Sequence, residues 1–321
     1  MRNHLVGLIG EAARSQPNIL FLTADLGFSV VEPLQESMGP RFINAGIAEA
    51  NMITMAASLS FCGFQPYVYS ITPFITARCY EQIRNDVCYH GAPVRLIGTA
   101  AGFSYGTLGP THHALEDATI MATLPGMTVF SPATISELDR LFALSSGIEG
   151  AIYFRIAREN GPDRQSPPFD LENPVVVWSG GNAINLVTSG SLAGEAFAAA
   201  DALQTGGVDV RLISLPILAP FPAAALWNAL AAAPTVVAFE GYEGNPLEAG
   251  VAKLLSEKAS GYPARFLNAG RHFAKKVGGT DFQRAAFQLD AAAIAAAARS
   301  LIDQRRENSS AHVRVKAATP D

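Results

Sequence analysis
At 321 residues the chain has room for two domains of ordinary size, and 49% hydrophobic against 16% charged residues gives it more core than charged surface. A net charge of −5 argues against nucleic acid or an anionic membrane as its main partner. The three cysteines, Cys62, Cys79 and Cys88, lack C-x-x-C spacing, which argues against a disulfide framework or a zinc site and for reduced thiols.

The opening MRNHLVGLIGEAARSQ is interrupted by Gly, Glu and Arg and reads as an amphipathic helix over 3–14, not a signal peptide. No run of about 18 apolar residues stands out as a membrane span, so a cytoplasmic location is expected. NILFLTAD (18–25) reads as a buried strand ending in Asp25. The polar end of an apolar strand is where open α/β sheets place ligand contacts, which makes Asp25 and Ser29 candidates, although an Asp there also forms turns. A short strand near Phe42 precedes a helix over 48–59 that is apolar on nearly every face. Glu49 falls in its first turn, with Asn44 as a possible cap. Helix electrostatics alone explain an acid there. The alternative is a buried acid that keeps its proton and shares it with a ligand nitrogen.

A strand at 66–70, a helix over 73–88 and a strand at 93–98 lead into the glycine-rich loop TAAGFSYGTLGPTHH. A helix from about 114 with Thr111 as cap, a strand MTVFSP, a helix over 134–145 and a strand AIYFRIA complete the first half. This alternation predicts an α/β domain over 1–165 with a mostly parallel sheet covered on both faces. ARENGPDRQSPPFDLENP (157–174) reads as a linker. Beyond it the pattern restarts as a second, smaller doubly wound α/β domain over 175–303. Its strands are INLVTSG, VDVRLISLP and TVVAFE, and its helices run over 192–205, 222–232, 247–258 and 285–302. The polar residues 304–321 are expected to fray.

GFSYG (102–106) matches the G-x-S-x-G pattern of hydrolases, but that elbow needs a helix directly after the serine, and TLGP cannot start one. The glycines instead allow close backbone approach to a ligand. THHALED (111–117) lacks the H-E-x-x-H spacing of a zinc site, so no metal site is expected in this chain. A helix start explains Thr111, Glu116 and Asp117 but leaves His112 and His113 at the mouth of the loop unexplained.

GIAEANM, GFQPYVYSITPF and GPTHHALED, in this order, resemble the pyrimidine-binding half of the transketolase family. These are thiamine diphosphate enzymes related to 1-deoxyxylulose-5-phosphate synthase and the 2-oxo acid dehydrogenase beta subunits. The likeness runs from about Arg2 to Arg158, with a weaker one to the family's C-terminal domain. It implies that Glu49 bonds N1′ of the aminopyrimidine and that His112 reaches the substrate beside the reactive carbon, both catalytic. It places Asp25, Ile47, Tyr69 and Phe74 on the cofactor, with Tyr69 or Phe74 stacking on the ring. It places Arg2, Ser29, Arg78 and Arg155 on the substrate with His112, and Arg158 is the fallback for Arg155. Ala100 and Leu108 depart from the family, which has a histidine and an acid there that contact donor hydroxyls and phosphate.

No G-D-G…N stretch, the family's diphosphate and magnesium motif, occurs in the sequence. The resemblance therefore implies half of an active site. An N-terminal-half transketolase subunit would bring the diphosphate and Mg²⁺ sites in an α2β2 assembly. The implied reaction transfers a two-carbon ketol unit, or an acyl unit, from a ketose or 2-oxo donor to an aldehyde acceptor. The alternatives are a 2-oxo acid dehydrogenase beta-type subunit and a non-catalytic scaffold or regulatory subunit that keeps the fold.

Overall fold
The computed structural model describes residues 1–27 and 29–317, with side chains described through Glu307. Six strands precede residue 157: β1 (Ile19–Thr23), β2 (Phe42–Asn44), β3 (Gln65–Ile71), β4 (Arg95–Thr99), β5 (Met127–Phe130) and β6 (Ala151–Ile156). All six pair in parallel. β1, β4 and β6 are buried at every residue, as apolar strands between two helix layers should be. Residues 157–174 hold neither helix nor strand. Then come β7 (Val176–Gly180), β8 (Ile184–Thr188), β9 (Val210–Ser214), β10 (Ile217–Ala219), β11 (Thr235–Ala238) and β12 (Ala264–Leu267). The first sheet has the order β10-β5-β6-β4-β3-β1-β2 and the second β12-β11-β8-β9-β7. β10 crosses from beyond the linker to pair antiparallel with β5, so the two halves are stitched at a sheet edge.

β1 lies between β2 and β3, so the chain winds to one side of β1 and then returns to the other. The carboxyl ends of β1 and β3 open a crevice at that switch. Three early helices frame it: α1 (Arg2–Ser15), α2 (Glu32–Met38) and α3 (Glu49–Phe61). α3 buries Met52, Ile53, Ala56 and Ala57 against Leu20, Leu22 and Val68. Burying the two large side chains is worth ~1.5–3 kcal/mol each, which fixes the helix that begins at Glu49.

The helix expected over 73–88 is broken into Thr72–Ile75, Tyr80–Gln82 and a π-helical Ile83–Tyr89. Thr76 Oγ1 bonds back to Thr72 O at 2.7 Å, and Arg78 N reaches Pro73 O, five residues back. Hydroxyl back-bonding in a β-branched stretch widens the turn. At the other end, the helix expected over 285–302 is two helices, Thr280–Ala286 and Ala291–Ala317. Gln288 at φ 57 breaks them, and Asp290 Oδ1 caps the second by accepting from Ala293 N at 2.9 Å. The second of these helices runs on to Ala317 within the 304–321 stretch expected to fray, and 318–321 lie outside the described residues. By length and composition Thr280–Glu307 could cross a membrane. Here Ile294, Ala298 and Leu301 are instead buried in the core of the second domain.

Thr134 caps the helix Ile135–Ser145, its Oγ1 accepting from Glu137 N at 3.1 Å. The Glu137 carboxylate accepts from Ala133 N at 2.7 Å and from Ser214 Oγ of the second sheet. Burial pushes this carboxyl up from its ordinary 4.5 to about 7, against the opposing hydrogen bonds. The folded chain therefore binds a proton more tightly than the unfolded one. The associated stability is full below pH 4.5 and is lost as pH rises through about 7. The loss amounts to roughly 3 kcal/mol. Calorimetry should show the melting temperature falling between about pH 4.5 and 7 and levelling above that, with a smaller fall in Glu137→Gln. An equal fall in both would remove Glu137 as the cause.

Candidate active site
β2 ends at Asn44, Gly46 turns the chain at φ 71, and Glu49 becomes the first residue of α3. Asn44 does not cap α3. Its Oδ1 accepts from Asp25 N and Gly46 N, both at 3.0 Å, and its amide donates to Asp25 Oδ1 at 3.2 Å. Asn44 thus ties the end of β1 to the turn before α3. The Ncap position belongs to Ala48, which leaves the first amides of α3 without a side-chain cap.

Glu49 is 3% exposed, and Oε2 lies 2.7 Å from Arg78 Nη1. The Arg78 guanidinium lies 4.4 Å over the Phe74 ring, and the edge of His112 stands against Phe74 with centroids 5.3 Å apart. These four side chains form a line from a buried carboxylate across an aromatic face to an imidazole. The Arg78 side chain is 47% exposed, so the line is open to solvent on one side. It is one open wall, and a cleft such as that between Thr128, Leu171 and Phe221 lies elsewhere. Next to it the Cys79 thiol is pushed to about 12 by burial and the Glu49 charge, which outweigh Arg78 and keep it inert.

The adjacent histidines divide. His112 is half-buried with Nδ1 3.0 Å from Thr111 Oγ1. His113 is buried, with Nε2 3.3 Å from Gly106 O and its ring edge-on to Phe103. Burial lowers the His113 pKa, which marks a neutral structural group. Thr111 is not a helix cap, because the next helix, Asp117–Ala122, starts six residues later behind Glu116. Ser104 is buried, with Oγ 2.8 Å from Ala101 O and 3.1 Å from Glu159 Oε2. It is a fastener of the loop and not a nucleophile.

Asp25, Ser29 and Ala100 have φ of 52, 65 and 65, left-handed values that cost non-glycine residues ~1–3 kcal/mol each. Asp25 and Ser29 are exposed beyond the end of β1, and Ser29 N donates to Glu32 Oε1 at 2.6 Å. Ile47 is 80% exposed two residues before Glu49. Tyr69 is buried within β3 against Phe21, with centroids 5.7 Å apart. Burial pushes its hydroxyl up, and the nearby Arg2 opposes this. Phe74, not Tyr69, therefore presents the aromatic face beside Glu49.

The structure does not bring Arg155 to this wall. The carboxyl end of β6 abuts the second domain, and the Arg155 side chain is 0% exposed. Nε donates to Asp117 Oδ2 at 2.9 Å, and Nη2 donates to Ala114 O at 3.1 Å and Glu240 O at 2.8 Å. With its donors committed in the interior, Arg155 is unavailable to a small anion. Arg158 is exposed and lies 5.8 Å over Tyr105, whose ring neighbours His112 at 6.3 Å. Asp117 stands in the first turn of the helix Asp117–Ala122, as expected, and it also belongs to the buried network with Arg155, Glu240 and Arg284. Nothing in the spacing of THHALED signals such a partner, because Glu240 and Arg284 lie more than a hundred residues away.

The wall suits one kind of ligand group. A planar guanidinium stacked on Phe74 with an N–H on Glu49 occupies the place that a flat, nitrogen-edged heterocycle would take. An aminopyrimidine has that shape and that edge. Among the described residues, no cluster of three or more His, Cys, Asp or Glu is placed to hold a metal ion.

Residues 1–163 match the family model of the transketolase pyrimidine binding domain, and residues 174–294 match that of the transketolase C-terminal domain. The chain is 30% identical over 309 residues to the 6-deoxy-6-sulfo-D-fructose transketolase subunit SqwH of Clostridium sp. (strain MSTE9), covering 95% of each chain. It is 28% identical over 260 residues to one of the apulose-4-phosphate transketolase subunits of Actinobacillus succinogenes, covering 79% of this chain and 83% of that one. Among solved structures, a split-gene transketolase in an inactive β4 tetramer superposes with a TM-score of 0.80 at 29% identity, covering 94% of this chain and 98% of that one. Two matched domain models in series, a relative similar from end to end and a wall built around Glu49 agree: the chain belongs to the transketolase family, as its pyrimidine-binding and C-terminal portion.

Proposed function
We propose that this chain is the C-terminal subunit of a two-component, thiamine diphosphate-dependent transketolase. The assembled enzyme moves a two-carbon ketol unit from a ketose donor to an aldehyde acceptor. One observation carries the reading: a buried carboxylate, Glu49, beside an aromatic face on an open wall, with a planar cation holding the place of the cofactor ring. The two relatives are named as transketolase subunits, which supports activity shared between chains.

Thiamine diphosphate, when bound, supplies the nucleophilic carbon that carries the ketol unit. Glu49 holds a proton at the ring nitrogen N1′, which its burial and carboxylate edge suit. Phe74 gives the ring an apolar face and excludes water from one side. Arg78 must leave Glu49 to admit the ring, and it then stands at the mouth of the site for the substrate. His112, across Phe74, is placed to bond a substrate oxygen. Asp25 and Ile47 flank the turn into Glu49 and complete the cofactor's bed. The diphosphate and Mg²⁺ sit on the partner, because this chain supplies neither the motif nor, among its described residues, a carboxylate cluster. An α2β2 assembly places two such walls against two partner surfaces.

The isolated chain should bind thiamine diphosphate weakly and turn over nothing; the split-gene relative's β4 tetramer is named as inactive. Adding the N-terminal-half subunit with Mg²⁺ should create binding and turnover together. Titration calorimetry on the separate and mixed chains is the test. Tight Mg²⁺-dependent binding by this chain alone would sink the two-component reading.

A further inference from the structure
The loop from Gly102 to Leu115, which carries His112, is held from behind by the second domain. Gly102 and Ala114 close its neck with two backbone bonds of 3.0 and 2.9 Å. Glu240, just past β11, fills the space where a Gly102 Cβ would stand, and Gly102 has φ 65. The Glu240 carboxylate is fully buried and accepts from Arg284 Nε at 2.7 Å and Ser191 Oγ at 2.5 Å. Burial opposes its charge, but Arg284, Ser191 and Arg155 overcome this and hold the carboxyl below its ordinary range. Arg155 bridges the Glu240 carbonyl to the Ala114 carbonyl, one on each domain. Tyr242 N donates to Leu115 O at 2.9 Å, and Thr280 Oγ1 donates to Phe103 O at 3.2 Å. Phe103 packs on Phe287 at 5.0 Å.

A loop with glycines at 102, 106 and 109 has much conformational freedom to lose, and its own side chains offer few anchors. The anchors it has come largely from beyond the linker. We propose that the second domain is the template for the His112 loop, and that Glu240 is its positioning residue. Glu240 touches neither Glu49 nor His112; it sets where His112 stands across Phe74 from Glu49. This rests on Glu49 and His112 being two ends of one site. Removing one member of a buried charge network leaves its partners uncompensated, so the loop should loosen as a unit.

The test uses the chain reconstituted with its partner, as wild type, Glu240→Gln and the milder Thr280→Val. Backbone amide exchange is read by mass spectrometry, proton exchange at cofactor C2 is read separately, and turnover is read as kcat and KM. In Glu240→Gln, peptides spanning 102–115 should exchange at least ~10-fold faster while α3 and β1 keep their protection. Turnover should fall ~10-fold through kcat, with C2 exchange within about twofold of wild type. Thr280→Val should shift the same peptides in the same direction by a few fold, without a fall in melting temperature. If Glu240→Gln fails to fold, Thr280→Val decides. Unchanged loop protection in the folded variants, or a loosened loop with unchanged kcat, overturns the template role. Absent C2 exchange in wild type would instead bring down the proposed function, and the loop's protection would still decide this inference.

Discussion

Replacing Glu49 with Gln is expected to slow proton exchange at cofactor C2 by ~10²–10⁴-fold in the reconstituted complex, because a positioned acid–base group is commonly worth that much. The substitution keeps volume and an acceptor oxygen, so α3, held by Met52, Ile53, Ala56 and Ala57, should form as before. Its ion pair with Arg78 is lost, yet the Arg78 side chain is half-exposed and can turn to water. The stability cost should stay within ~1 kcal/mol. The outcome separates three readings of one residue. A catalytic Glu49 predicts slow exchange in a folded, cofactor-bound complex. A helix-dipole acid predicts normal exchange with a slightly lower melting temperature. A non-catalytic scaffold subunit predicts no change in any activity of the complex. Unchanged C2 exchange with the cofactor shown to be bound would remove Glu49 from the chemistry.

Arg158 is the second large expectation. Both relatives act, by name, on substrates bearing a terminal anion, a sulfonate in one case and a phosphate in the other. Were this chain's substrate to carry such an anion, Arg155 could not serve it, since its guanidinium is spent inside the molecule. Arg158 is exposed and lies over Tyr105, the ring that neighbours His112, and Arg2 is half-buried near Tyr69. Losing a charge-assisted contact typically costs ~1.5–3 kcal/mol, or roughly 10- to 150-fold. Arg158→Ala should therefore raise KM for an anionic sugar substrate by that factor and leave an uncharged analogue nearly unaffected, with Arg2→Ala smaller in the same direction. Arg155→Ala should act differently, lowering the melting temperature and affecting both substrates alike. Steady-state kinetics on an anionic and a neutral substrate decide the matter; equal effects of Arg158→Ala on both would make it a surface residue.

Much of this was legible along the chain, for a physical reason. The alternation of apolar strands and amphipathic helices is local, and burial on both faces leaves continuous apolar runs that a single sequence displays. Glu49 was legible because a lone acid in an apolar helix stands out in any environment, and the motifs around it are contiguous. What a helix's first turn could not disclose was its charge partner. Arg78 lies 29 residues later and reaches Glu49 from beyond the widened turn after Thr72. The two histidines are identical neighbours in sequence, and only the folded loop, which sets His113 on Gly106 and Phe103 and His112 against Phe74, assigns one inward and one to the wall. An arginine ending a strand reads the same whether it faces a crevice or a neighbouring domain, so Arg155 was placed on the substrate until Glu240 and Asp117 claimed it. The same holds for β10, three residues whose pairing with β5 depends on the way two sheets meet and on nothing in their own pattern. Local periodicity thus determined the elements and the carboxylate, and long-range contact decided which neighbouring groups face the site and which hold the two domains together.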